Sequence, residues 1–243
     1  MPNPSATAFR RELAKSIRKI RRSERFYEEE RFAYKRNRSL TRYLYYLQGL
    51  GATLNYIRSL PSPCLVDLGS GTGRAIKELS TAEIGRDLTI IGTGIAWHKY
   101  IEYPHYRITP AECMRGFKPS SVGGFISVFG PTHYSYYLEV VLDNLDRVLI
   151  PGGVMKLVMM EHSSFSRNNA EFTTRLSSVT DYLKTKGYGL AVTSHTARTS
   201  AWEVTFCAIV AVKGGAAIDH EKLASDLIVG DYQTFPKDLS PIE

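Results

Sequence analysis

The segment Val66-Asp67-Leu68-Gly69-Ser70-Gly71-Thr72-Gly73-Arg74 constrains this chain more than any other. A short apolar run, Cys64 to Leu68, feeds three glycines at alternate positions, and Ala75 to Ala82 then reads as a helix. Glycine lets a backbone turn sharply and lets a ligand approach the main chain with no Cβ in the way. The helix that follows offers unpaired N–H groups at its start. In an open α/β sheet such a turn lies at the carboxyl ends of the strands, where ligands bind. A dinucleotide fingerprint requires glycine at position 74, where Arg74 stands, and a Walker A loop requires Gly-Lys-Ser/Thr, which is absent. What remains is Gly-x-Gly-x-Gly with Asp67 two residues ahead of the first glycine. The plain alternative is a strand-to-helix turn that holds no ligand.

The chain around this loop alternates strand and helix. Leu88 to Gly92 reads as a second strand, with a short helix near Trp97. Tyr106 to Thr109 reads as a brief third strand and Val122 to Phe129 as a fourth. Tyr134 to Leu149 places Leu138, Val141, Leu142, Leu145 and Leu149 on one side of a helix. Val154 to Met160 is a fifth strand and Asn168 to Lys186 a helix ended by Gly187. Leu190 to Ser194 and Val204 to Val212 are late strands. Such alternation predicts a mostly parallel sheet covered by helices on both faces. A second signal is Asp146-Arg147-Val148-Leu149-Ile150-Pro151-Gly152-Gly153-Val154-Met155, a helix end, a Pro-Gly-Gly turn and a strand start.

Ahead of the alternating region the texture is helical. Leu13, Ile17 and Ile20 recur at helical spacing, a second stretch runs from Glu24 to Lys35, and a third from Leu40 to Ser59. Pro61 and Pro63 end it. The expected organisation is a helical arm over residues 1–60, a core over 61–213 and a peripheral segment over 214–243. Residues 1–42 carry 13 Lys and Arg against five Glu, whereas the rest of the chain holds 18 basic and 19 acidic residues. The arm therefore carries the positive field. It reads as a footprint for RNA or an acidic partner, or as the solvated face of an amphipathic helix broken by Glu24, Glu28, Glu29 and Glu30.

Composition narrows the class. With 43% hydrophobic and 23% charged residues over 243 positions, wholesale disorder and a coiled-coil rod are excluded. No apolar run reaches the roughly 18 residues of a transmembrane helix, and no secretory signal is evident. Cys64, Cys113 and Cys207 form no CxxC pair. No metal site is expected, and the cysteine usage fits a reducing cytoplasm.

Taken together, Asp67-Leu-Gly-Ser-Gly-Thr-Gly73, Arg147-Val-Leu-Ile-Pro-Gly-Gly153 and the Phe129-Gly130 segment between them resemble the class I S-adenosylmethionine-dependent methyltransferase superfamily. The resemblance spans Pro63 to Lys213. It implies an α/β fold: a Rossmann-like, seven-stranded, mostly parallel sheet with the seventh strand antiparallel, flanked by helices, with an N-terminal helical arm. It implies S-adenosylmethionine as cofactor. Gly69, Ser70, Gly71 and Gly73 would wrap its methionine part, and Asp67 would face its amino group. A carboxylate suits a ligand with a positive amine and sulfonium. Two positions depart from the family pattern. The acid expected at the end of the second strand, for the ribose hydroxyls, is replaced by Gly94, with Thr93 beside it. The acid expected before the adenine is replaced by Pro110, followed by Ala111 and, two residues late, Glu112. Ile95 is expected against the adenine face, and Phe129 beside the cofactor.

Methyl transfer from a sulfonium is an in-line displacement that asks for alignment and exclusion of water. A base is needed only where the acceptor must lose a proton. His133 is the candidate base and Tyr134 the residue that orients the acceptor or covers the cofactor, with helix capping as the alternative for His133. Glu161 and His162 read as loop residues near the mouth, His98 and His105 as structural. From the arm, Tyr27, Tyr34, Arg38, Tyr43 and Tyr46 supply either packing or walls of a lid. The expected activity is methyl transfer to O or N of a small-molecule acceptor, without membrane involvement. The alternatives are an RNA or protein acceptor recruited through residues 1–42, a catalytically silent binding module, and aminopropyl transfer.

Overall fold

The computed structural model describes residues 38–94, 101, 103–135, 137–163, 169–198, 203–214 and 219–228. The expected helices before residue 38 and the short helix near Trp97 lie outside these residues. So does most of the basic arm.

Seven strands form one sheet: β1 Cys64–Leu68, β2 Thr89–Gly94, β3 Tyr106–Ile108, β4 Val122–Val128, β5 Leu149–Ser163, β6 Gly189–Arg198 and β7 Glu203–Val212. Their spatial order is β3-β2-β1-β4-β5-β7-β6. β1 pairs in parallel with both β2 and β4, while β7 runs antiparallel between β5 and β6. The seven-stranded, mostly parallel sheet and its antiparallel seventh strand are therefore as expected. The winding reverses between β1 and β4, and the glycine loop leaves the carboxyl end of β1 at that reversal. β1 and β4 are buried along their whole length, which is why they read as unbroken apolar runs rather than as alternation.

Helices cover both faces. α1 Leu40–Tyr46, α2 Leu50–Arg58 and α3 Arg74–Thr81 pack on one side through Tyr43, Leu47, Leu54, Ile57, Ile76 and Leu79. On the other side lie α5 Leu138–Val148 and α6 Asn169–Thr185, with Val141, Leu145, Val179 and Leu183 against Phe125 and Leu157. The short helix α4 Pro131–Tyr134 precedes α5. Each aliphatic side chain fully withdrawn from water contributes roughly 1.5–3 kcal/mol. Among the described residues no helix is long and apolar enough to cross a membrane.

Three boundaries differ from the sequence expectation. The helix expected over residues 40–59 is two helices, because Gly49 takes a left-handed conformation with φ 72°. The helix expected from Tyr134 starts at Leu138, since Ser135 is extended. The C-terminal segment, expected at the periphery, contributes to the core: α7 His220–Asp226 packs on β6, and Ala224 and Leu227 are buried. Its apolar positions are too few and too short in span to show helical periodicity before the sheet is assembled.

Candidate active site

The loop after β1 has the geometry its glycines allow. Gly69, Gly71 and Gly73 have φ of 75°, 59° and 79°, a region that side-chain-bearing residues rarely enter. The loop is braced to the end of β2. The Ser70 N–H donates to the Thr93 carbonyl at 2.9 Å. The Ser70 hydroxyl donates to the Asp67 carbonyl at 2.9 Å and accepts from the Thr93 N–H at 3.1 Å. The Thr93 hydroxyl also donates to the Asp67 carbonyl, at 2.9 Å, and Thr93 is 2% exposed. That places its side chain inside the scaffold of the loop.

Asp67 lies beneath the loop and is 0% exposed. Its Oδ2 accepts a hydrogen bond from the Tyr43 hydroxyl of α1 at 2.8 Å. Its Oδ1 is equally buried and has no partner among the described residues. Burial pushes the carboxyl up to about 6, against the opposing pull of the Tyr43 bond, of the neighbouring Ser70 hydroxyl, whose own bond goes to the Asp67 carbonyl, and of the Arg38 guanidinium. The Tyr43 phenol is held well above its ordinary range, chiefly by burial and then by the Asp67 charge. A buried acceptor without a donor is unusual, and it marks where a donor, above all a cationic one, would be welcome.

The end of β2 is closed by a tyrosine. Tyr106 of β3 sends its hydroxyl to the Gly71 carbonyl at 3.1 Å. A Cβ at position 94 would overlap that hydroxyl, so Tyr106 takes the space of the missing carboxylate. Ile95 lies outside the described residues. Ala111 is buried in the core with Met114 and Phe117. Glu112 is buried too, and its Oε1 accepts from the Ser135 hydroxyl at 2.7 Å while its carbonyl accepts from Asn144 at 2.8 Å. Glu112 therefore ties the segment after β3 to the α4–α5 junction.

At the end of β4 the chain turns through Phe129, whose φ of 53° is uncommon for a residue with a side chain. Phe129 is stacked on Phe206 at 5.5 Å and meets Tyr46 edge-on at 5.1 Å. The Arg38 guanidinium stands 5.3 Å from the centre of its ring. The His133 ring of α4 lies 6.2 Å from Phe129. Burial, and then the charge of Arg175, push His133 down to about 4. Arg175 is itself fixed by the Thr132 carbonyl at 2.9 Å and by the Ser135 carbonyl. His133 is consequently neutral near pH 7. A base of that strength is poorly matched to deprotonation at pH 7, but its imidazole can accept a hydrogen bond.

Of the other sequence candidates, Tyr134 closes α4 and Glu161 and His162 lie at the end of β5, and their side chains fall outside the described set. His105 is exposed with its ring against Tyr103. His98, Tyr27 and Tyr34 lie outside the described residues. The structure thus gathers Asp67, Gly69, Ser70, Gly71, Gly73, Phe129 and His133 around the β1 and β4 ends. Sequence reasoning missed Tyr106, Ser135 and Arg175. Tyr106 alone left a trace, as an aromatic residue two strand ends from a loop of glycines. Among the described residues no three His, Cys, Asp or Glu side chains converge as a metal site would require.

No protein-family model matches the chain, and neither does any curated protein. Solved structures do. One is phosphoethanolamine N-methyltransferase 2 of Haemonchus contortus with phosphomonomethylethanolamine and S-adenosylhomocysteine, at 16% identity and TM-score 0.51, covering 69% of this chain and 52% of that one. The chain therefore spans about half the length of that neighbour. Another structure of that protein, with S-adenosyl-L-methionine, matches at 14% identity and TM-score 0.50, over 78% of this chain and 59% of that one. The YcgJ protein of Bacillus subtilis matches at 12% identity and TM-score 0.51, over 69% of this chain and 99% of that one. Strand order and these likenesses agree that the chain has the class I methyltransferase fold.

Proposed function

We propose that this chain transfers a methyl group from S-adenosylmethionine to an O or N atom of a small molecule. The observation that carries this reading is the buried Asp67 Oδ1 beneath the glycine loop, without a partner among the described residues, at the point where the winding of the sheet reverses. An ammonium group there would satisfy it. The H. contortus neighbour, solved with a small phosphorylated amine and the demethylated cofactor, supports both the cofactor and the acceptor class.

When bound, S-adenosylmethionine supplies an electrophilic methyl on a positively charged sulfur. The chain's own residues supply the rest. Asp67 holds the amine, and the backbone of Gly69 to Gly73 receives the methionine part without Cβ obstruction. Phe129, Tyr46 and Phe206 form an apolar wall that excludes water beside the β4 end. His133 accepts a hydrogen bond from the O–H or N–H of the acceptor and so orients its lone pair. With Tyr106 closing the end of β2, the ribose hydroxyls lack a carboxylate, and each such bond lost lowers affinity by roughly tenfold or more.

Titration calorimetry with S-adenosylhomocysteine tests the reading. The wild type should bind it, and Asp67→Asn should weaken binding by about tenfold to a hundredfold. Failure of the wild type to bind at millimolar concentration would overturn it. Tyr106 in the place of the ribose acid favours one rival, a module that binds without turnover. Product binding with no methyl transfer to any of a broad panel of small acceptors would support that rival.

A further inference from the structure

We propose that Tyr43 is a positioning residue for the cofactor amine: its hydroxyl holds Asp67 by Oδ2 and so reserves Oδ1 for the ligand, making helix α1 part of the binding site. The inference rests on the methyltransferase reading and deepens it. Three observations carry it. The Tyr43–Asp67 bond, 2.8 Å long, is buried and joins residues from separate layers, the helix over the sheet and the central strand. The two carboxylate oxygens differ, one bonded and the other without a partner among the described residues. The Asp67 carbonyl is also fixed, by Ser70 and Thr93, so the backbone that carries the carboxylate is held in place and the Tyr43 bond alone distinguishes its two oxygens.

The bond also sets the charge of the site. Asp67 is desolvated, and the Tyr43 hydroxyl is the first of the groups that oppose the effect. The other charged or titratable groups acting on the pair are Arg38, ahead of α1, and Tyr106 of β3. Removing the hydroxyl removes a bond that the ionised carboxylate accepts. Asp67 then ionises at higher pH, and the form that attracts an ammonium is lost earlier as pH falls.

The experiment measures S-adenosylhomocysteine affinity from pH 5.5 to 8.5 for the full-length wild type and Tyr43→Phe. The expected result is affinity within about twofold of wild type at pH 8.5 and about tenfold weaker at pH 6.5. A packing role alone would lower affinity equally at every pH, and that parallel loss overturns the inference. In an Asp67→Asn background, Tyr43→Phe should have no pH-dependent effect. Should Tyr43→Phe not fold, 3,5-difluorotyrosine at position 43 keeps the ring and makes the phenol a stronger donor. The acid limb should then move to lower pH, and an unmoved limb overturns the inference. A wild type that binds no product at any pH removes the methyltransferase reading itself, and this inference with it.

Discussion

The Tyr106 hydroxyl stands where a side chain on Gly94 would begin, and it is anchored there by the Gly71 carbonyl at 3.1 Å. The two positions are coupled by space. Restoring an acid by Gly94→Asp should therefore not restore a ribose site. Overpacking of this kind costs about 1–3 kcal/mol. The single variant should melt earlier and bind S-adenosylhomocysteine no better than wild type. Adding Tyr106→Ala should recover stability and raise affinity above that of either single change, a non-additivity that melting and calorimetry on all four chains can read. Tighter binding by Gly94→Asp alone, with unchanged melting, would remove the coupling.

Two groups of the site titrate in different ranges, so two kinetic parameters should separate. Asp67 sits at about 6 and His133 at about 4. An ammonium needs the ionised carboxylate, so kcat/KM for the cofactor should fall as pH drops through 6. His133 stays neutral across that range, so kcat at saturating cofactor should be flat from about pH 5.5 to 8. An imidazole inflection in kcat between pH 6 and 7 would show that His133 titrates as an ordinary base.

On the proposed reading His133 hydrogen-bonds the acceptor, so its loss should slow the chemical step modestly. His133→Ala is expected to lower kcat about tenfold, the worth of one such bond, and to leave S-adenosylhomocysteine affinity within about twofold. Arg175→Ala should raise the His133 titration, because the second cause of its depression is removed. Proton-resolved titration of the imidazole would read that directly.

What the sequence disclosed and what it concealed divide along the range of the interactions. The glycine loop was legible because three positive-φ residues in five positions impose their conformation locally. The same is true of the Pro-Gly-Gly turn ahead of Val154, where Gly152 has φ 74°. The Tyr43–Asp67 bond was not legible, since it joins positions 24 residues apart and exists only once α1 lies on the sheet. Helical spacing put Tyr43, Tyr46 and Leu47 on one face, which identifies a packed face but not the atom each hydroxyl meets. Thr93 shows the converse. A hydroxyl at a strand end reads as a ligand contact, whereas backbone carbonyls within reach claim it first. The sequence places Glu112 two residues past the position expected before the adenine, and in the structure its carboxylate is taken up by Ser135 across a turn that the apolar pattern of 134–149 hides.

Lys156 offers a test of how the two ends of the described chain are fastened to the sheet. It is the one charged residue in the apolar run of β5 and is 1% exposed. Its ammonium donates to the Leu227 carbonyl, just past α7, at 3.0 Å and to the Thr53 hydroxyl of α2 at 3.4 Å. Burial pushes it down to about 7, whereas an unfolded lysine titrates near 10.4. Between those values the unfolded chain binds the proton that the folded chain has released, so stability rises with pH from about 7 to 10. Below 7 both states are protonated and the folded state carries the full desolvation penalty, on the order of several kcal/mol. The hydrogen bonds to a charged donor return roughly 1.5–3 kcal/mol each at best. Lys156→Met should accordingly melt at or above the wild-type temperature at pH 6, despite leaving the Leu227 carbonyl without its donor. Its advantage should shrink steadily toward pH 9.5, because only the wild type gains stability there. Melting curves of both chains across that range decide the matter, and a wild type whose stability stays level from pH 7 to 9.5 would show that Lys156 keeps an ordinary affinity for its proton.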